Sequence, residues 1–238
     1  MATILNWWKN YAAIVMLVVM AIGLKYPMIM LVFLICMFGP SLTGFFTGRF
    51  WCGNICPIGI FFDNVLIKIS SHKKAPEFFK SKWIRIIFTT LMMSMFIFEM
   101  LFSFGKPAMM GMVFYEMILE AVIIGTFLSV IYHHRVWCHF CPMGSTGALV
   151  TYLSNRKKVL SVSDQCSKCR KCEENCPMGL APHEYQGTKL SSYNCIQCGI
   201  CIKSCPNERI GYQENIKPVE KNSIDVALNG KNNLVSRN

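Results

Sequence analysis

Charge is what this chain has least of. Only 16% of its 238 residues are Asp, Glu, Lys or Arg, against about 25% in an average soluble domain. The acidic side is the thinner one, with 13 Asp and Glu against 24 Lys and Arg. Hydrophobic residues make up 53% of the chain and mean hydropathy is +0.37. That balance excludes a disordered or fibrous protein and argues against a wholly soluble one. Further absences narrow the chemistry. There is no C-x-x-C-H, so covalent haem is unsupported. Bis-histidine haem needs facing histidines on spans, whereas His72 and His183 fall in loops and His133, His134 and His139 flank one span end. No glycine fingerprint for dinucleotides and no flavin motif is present, which argues against a self-contained dehydrogenase. The net charge of +11 accompanies no nucleic-acid module, and no nucleic-acid partner is expected.

Long apolar runs are confined to the first ~150 residues, and spanning a bilayer takes roughly 20 mostly apolar residues. Four segments qualify: 7–24, 28–46, 83–104 and 112–132. Ala21-Ile22-Gly23 resembles a small-residue cleavage site, but the first segment is taken as a retained helix. Lys and Arg gather in the 47–85 loop (Arg49, Lys68, Lys73, Lys74, Lys80, Lys82, Arg85) and after the fourth span (Arg135, Arg156, Lys157, Lys158). The opposite turns hold one each, Lys25 and Lys106. The asymmetry places both termini and the 47–85 loop in the cytoplasm. Ile58, Phe61, Phe62, Val65, Leu66 and Ile69 share a helical face, as in a helix at the membrane boundary or one packed on the spans.

Cysteine carries the strongest chemical signal. Residues 166–177 read CSKCRKCEENCP and residues 195–206 read CIQCGICIKSCP. Both match C-x2-C-x2-C-x3-C-P, in which three cysteines of a loop ligate one [4Fe–4S] cluster and the fourth ligates the other. The first cluster is therefore assigned to Cys166, Cys169, Cys172 and Cys205, the second to Cys195, Cys198, Cys201 and Cys176. This block resembles 2[4Fe–4S] ferredoxins, a likeness that implies a small α+β domain with pseudo-twofold symmetry.

A second set follows the cytoplasmic ends of spans two and four. FWCGNICPIG holds Cys52 and Cys56, and VWCHFCPMG holds Cys138 and Cys141. An internal repeat brings four thiols to one membrane face. They suit a third [4Fe–4S] cluster. Tetrahedral zinc and a redox or structural thiol set stay open as alternatives.

Cysteine-proline pairs after two hydrophobic hairpins, followed by a double ferredoxin run, resemble the NapH/MauN/NosR-type polytopic membrane ferredoxin (4Fe–4S) family, in a layout closest to NapH. The likeness covers residues 5–210. It implies electron passage between membrane quinol and partner redox proteins. The second membrane motif is one residue shorter than the first, and there is no flavin-binding domain.

The expectation is thus an α-helical membrane protein of four transmembrane helices with a C-terminal α+β 2[4Fe–4S] ferredoxin-like domain. Residues 1–155 form the membrane domain, 156–212 the ferredoxin domain and 213–238 a polar tail. The setting is the prokaryotic cytoplasmic (inner) membrane, with the ferredoxin domain inside. The function read from this is electron relay between the quinone pool, menaquinone or ubiquinone, or a partner redox subunit and the ferredoxin domain. The alternative is an assembly or docking subunit with structural clusters. Intramembrane carboxylates are functional candidates by default, so Glu99, Glu116 and Glu120 are marked for a proton path or quinone contact. His133 and His134 are marked for a quinone head or cluster sulfide. Structural pairing and interfacial polarity are the plainer explanations. Cys36, alone in the second span, reads as an inert buried thiol.

Overall fold

The computed structural model describes residues 2–71, 73, 76–154 and 159–212. His72, Lys74, Arg156, Lys157, Lys158 and the tail expected over 213–238 lie outside the described residues.

The chain is mostly helical. Helix α1 (Ala2–Gly23) opens it, and a 3-10 segment, Pro27–Phe33, runs into α2 (Leu34–Phe46). Two short helices carry the first membrane-face motif, α3 (Phe50–Asn54) and α4 (Pro57–Asn64). A single turn, α5 (Glu77–Lys80), precedes the long helices α6 (Lys82–Phe102) and α7 (Pro107–Ile131). The 3-10 turn Val136–His139 then leads into α8 (Pro142–Leu153). Among the described residues, three segments are long and apolar enough to cross a membrane: Pro27–Phe46, Lys82–Phe102 and Pro107–Ile131. The first expected span, 7–24, coincides with the apolar helical stretch Trp7–Gly23 of α1. Helix α7 begins at Pro107 rather than near 112, because proline at the first helical position fixes φ and needs no donor. Gly105, at φ 84°, makes the turn before it.

Met16, Met30, Phe62, Phe114 and Trp137 form the buried centre of the helical part. The outer faces are apolar and exposed: of α6 only Phe96 is buried, while Ile87, Leu91, Phe98 and Leu101 face outward. Patches this extensive are rare on soluble monomers and fit contact with lipid. The stretch expected as a boundary helix ends at Asn64, followed by a 3-10 turn, Leu66–Lys68. Phe61, Phe62 and Leu66 are buried against the bundle, with Phe62 packed on Gly125 of α7. Val65 and Ile69 stay exposed. The segment is a helix packed on the spans with an apolar outer edge.

Beyond residue 158 the chain folds around its cysteines. Strands β1 (Leu160–Val162) and β2 (Ile210–Tyr212) pair antiparallel, Leu160 opposite Tyr212 and Val162 opposite Ile210. Between them lie two four-residue helices, α9 (Lys171–Glu174) and α10 (Ile200–Lys203). The strands tie the ends of the block together, and each helix carries the third cysteine of one run, Cys172 or Cys201.

Candidate functional site

The two cysteine runs adopt the same backbone path. In the first, Lys168 and Arg170 have φ of 52° and 62°; in the second, Gln197 and Gly199 have 52° and 79°. Three residues after the last cysteine of each run the left-handed conformation recurs, at Gly179 (61°) and Glu208 (51°). Side chains other than glycine lose roughly 1–2 kcal/mol per residue there. Repetition at matching positions marks a constraint that both loops share. Such turns aim successive backbone N–H groups into a concavity suited to an anion. The N–H of Leu180 donates to Cys176 Sγ (3.4 Å) and that of Arg209 to Cys205 Sγ (3.3 Å).

Two small cavities lie inside these loops. The first is lined by Cys166, Cys169, Cys172 and Cys205. The second is lined by Cys176, Cys195, Cys198 and Cys201. Each run thus sends its fourth cysteine to the other run's cavity, the grouping inferred from spacing. Burial pushes the Cys176 thiol up to about 11 and the Cys201 thiol up to about 12. These thiols ionise when metal binds. All-thiol donor sets with sulfur-directed N–H groups fit an iron–sulfur cluster.

The membrane-face cysteines converge at the foot of the helices. Cys52 and Cys138 are buried with Met178 and Ile196 of the ferredoxin block, and Cys176 and Cys198 pack against that group. Burial pushes Cys141 up to about 12 and raises Cys56 and Cys138. The fields of Cys52 and Cys141 act on Cys56, and those of Cys52 and Cys138 act on Cys141. Cys36 is near enough to act on Cys56 as well, so the thiol read as isolated borders the set. Among the described residues, no three His, Cys, Asp or Glu side chains close on a single metal ion.

Sequence reasoning missed the groups that hold this site. Arg49 and Arg135 are fully buried. Arg49 Nη2 donates to Cys138 O, and Arg135 Nη1 donates to Cys52 O, each at 2.8 Å. Each repeat therefore reaches into the other's motif. Glycines make room: a Cβ on Gly144 would lie 2.5 Å from Arg49 Nη2, and one on Gly59 2.5 Å from Arg135 Nη1. The signal was present as Arg three residues before Cys in both motifs, Arg49-Phe-Trp-Cys52 and Arg135-Val-Trp-Cys138. Asp63 faces Arg135 through two bonds, Nε–Oδ1 at 2.7 Å and Nη2–Oδ2 at 2.5 Å. Burial works to raise the Asp63 carboxyl, but Arg135 and His134 outweigh it and hold it well below the usual range.

Of the marked histidines, His134 is buried with Nε2 3.2 Å from Asp63 Oδ1. The His133 ring lies against it, tilted by 37°, with 4.1 Å between ring centroids. Glu99, Glu116 and Glu120 are all exposed on the outside of their helices, apart from the cysteine sites.

Comparison with known proteins now bears on these three sites. A 4Fe-4S dicluster domain matches residues 165–210, and a 4Fe-4S binding domain matches residues 29–76 and 117–161. The chain carries 4Fe-4S ferredoxin-type domains. At least two [4Fe–4S] clusters follow from them. The uncharacterized protein MJ0750 of Methanocaldococcus jannaschii is 27% identical over 183 residues, 71% of this chain and 74% of that one. The uncharacterized protein MJ0749 of the same organism is 25% identical over 183 residues, 76% of this chain and 70% of that one. No solved structure matches.

Proposed function

We propose that the chain is a membrane-anchored electron-transfer subunit of NapH/MauN/NosR type, built on four transmembrane helices with an α+β ferredoxin-like domain on the cytoplasmic face of a prokaryotic inner membrane. The 4Fe-4S domains supply the electron-transfer element, and the apolar helices supply the anchor. When bound, the clusters supply one-electron redox chemistry whose potential the surrounding protein tunes.

The observation that carries this reading is the serial order of three thiol sets. Cys169 is exposed at the outer cavity. The second cavity lies between it and the membrane-face set, sharing Cys176, Cys198 and Ile196 with the contact onto Cys52 and Cys138. Docking fixes that order. Asn54 Nδ2 donates to Gln197 O at 3.0 Å, Gln197 Nε2 donates to Thr47 O, and the Arg85 guanidinium lies over the Tyr193 ring, 5.8 Å from its centroid. Buried Ile196 and Met178 exclude water at the join. Cys52, Cys56, Cys138 and Cys141 hold a third [4Fe–4S] cluster in this reading, supported by the 4Fe-4S binding domain match that covers both motifs. The exchange partners are membrane quinone, menaquinone or ubiquinone, and other redox subunits. In this reading the outward carboxylates Glu99, Glu116 and Glu120 are the candidates for a proton path or quinone contact.

Iron and acid-labile sulfide analysis with a redox titration tests this. About twelve irons per chain and three reducible centres are expected; about eight irons would leave the membrane-face cysteines without a cluster. Centres that never change oxidation state between donor and acceptor would leave a docking subunit instead. Undiminished quinol-linked turnover in Glu116→Gln would remove that carboxylate from the path.

A further inference from the structure

The membrane-face thiols are ringed by positive charge that positioning alone does not require. Arg49 is fully buried, and one of its five N–H groups suffices for the bond to Cys138 O. Its Nε and Nη1 are buried with no hydrogen-bond partner among the described residues. Arg135 occupies the matching position in the other repeat, but Asp63 neutralises it. Arg49 has no such carboxylate among the described ion pairs. Arg85, at the start of α6, bonds to His139 O and lies within the field of Arg49. Among the described residues, the charged side chains bonded to the two motifs or to one another there are three guanidinium groups and one carboxylate, an excess of positive charge.

A buried cation without a counter-charge is strongly unfavourable, and buried polar atoms are paired in nearly all folded proteins. A missing anion is therefore implied. Four thiolates around an oxidised cubane core form a dianion, which balances the excess. We propose that Arg49 is the counter-ion of the cluster held by Cys52, Cys56, Cys138 and Cys141, and that its charge raises that cluster's reduction potential. This rests on the reading that these four cysteines hold a cluster. Net charge and hydrogen bonds to sulfur are what set such potentials. One-electron reduction adds a negative charge to the site, and the Arg49 cation favours the more negative state. Arg135 also reaches the set, with Nη1 3.7 Å from Cys138 Sγ, but Asp63 offsets its charge, so Arg49 is the guanidinium at the two motifs whose charge no described carboxylate offsets.

The test is a redox titration followed by electron paramagnetic resonance on the detergent-solubilised full chain, with iron counted in each variant. In Arg49→Gln the iron count is expected to hold while one midpoint moves to lower potential and the two ferredoxin midpoints stay. Arg49→Lys, which keeps charge and loses the fork, is expected to move it less. If Arg49→Gln loses about four irons and Arg49→Lys keeps them, the need for charge is upheld. Three unmoved midpoints at full iron content would overturn the proposal, as would equal iron loss in both variants. Wild-type protein with only eight irons would be a different failure, that of the third cluster itself, and the proposal would fall with it.

Discussion

Asp63 shows how much one side chain decides at this site. It is about a third exposed, yet it holds both the Arg135 guanidinium and the His134 ring. Breaking a fully buried ion pair costs roughly 3–5 kcal/mol; with the exposure of Asp63 discounted, Asp63→Asn is expected to cost roughly 2 kcal/mol. The pH dependence has a definite sign. The folded carboxyl is held below its unfolded value of about 3.9, so the stabilisation is present above that value. It is lost as pH falls below about 4 towards the folded value. The gap in unfolding midpoint between wild type and Asp63→Asn should therefore be constant from pH 7 to 5 and close below pH 4. A gap that widened on acidification would refute the assignment. Ligand exchange between the two runs is also decided residue by residue. Cys176→Ala should remove the same spectral signal as Cys198→Ala, and Cys205→Ala the same signal as Cys169→Ala. Iron analysis with electron paramagnetic resonance reads the grouping directly. Spacing alone sorted the eight cysteines of the two runs into their sets. It gave no role to Arg49 or Asp63, because burial and pairing across repeats depend on contacts 72 to 89 residues apart in the chain.

Elements meet here through small residues. Helix α8 packs on α2 with Gly147 against Pro40 and Val150 against Gly44, close approaches that larger side chains would block. A twelve-residue helix after Cys141 was absent from the sequence reading, because Gly144, Ser145, Gly147 and Ala148 carry little hydropathy. The α3 helix meets the ferredoxin loop even more closely: a Cβ on Gly53 would collide with the carbonyl of Ile196. Neither partner there is a flexible side-chain end. Gly53→Ala is expected to loosen the join by about 1–3 kcal/mol, the usual cost of overpacking. Hydrogen exchange at Ile196–Cys198 should rise while exchange at β1 and β2 stays unchanged. Unchanged protection at Ile196 would show that the two parts do not depend on this contact.

For the whole molecule, the consequence of the arrangement is a series rather than a cluster of independent sites. Removing the middle set with Cys198→Ala and Cys201→Ala should stop reduction of the outer centre from the membrane side. Added dithionite should still reduce it. Continued reduction from the membrane would mean that the outer centre has its own route. The long apolar segments and the C-x2-C-x2-C-x3-C-P runs were readable along the chain because each is a local pattern, a length of hydropathy or a spacing of thiols. They were enough to find helices long and apolar enough to cross a membrane and to find the 4Fe-4S domains. The order of the three sites, the burial of two arginines and the neutralisation of one of them depended on folding, because each arises from backbone and side chains brought together across repeats. Coulomb and desolvation energies depend on distance in space, and no linear pattern records that distance.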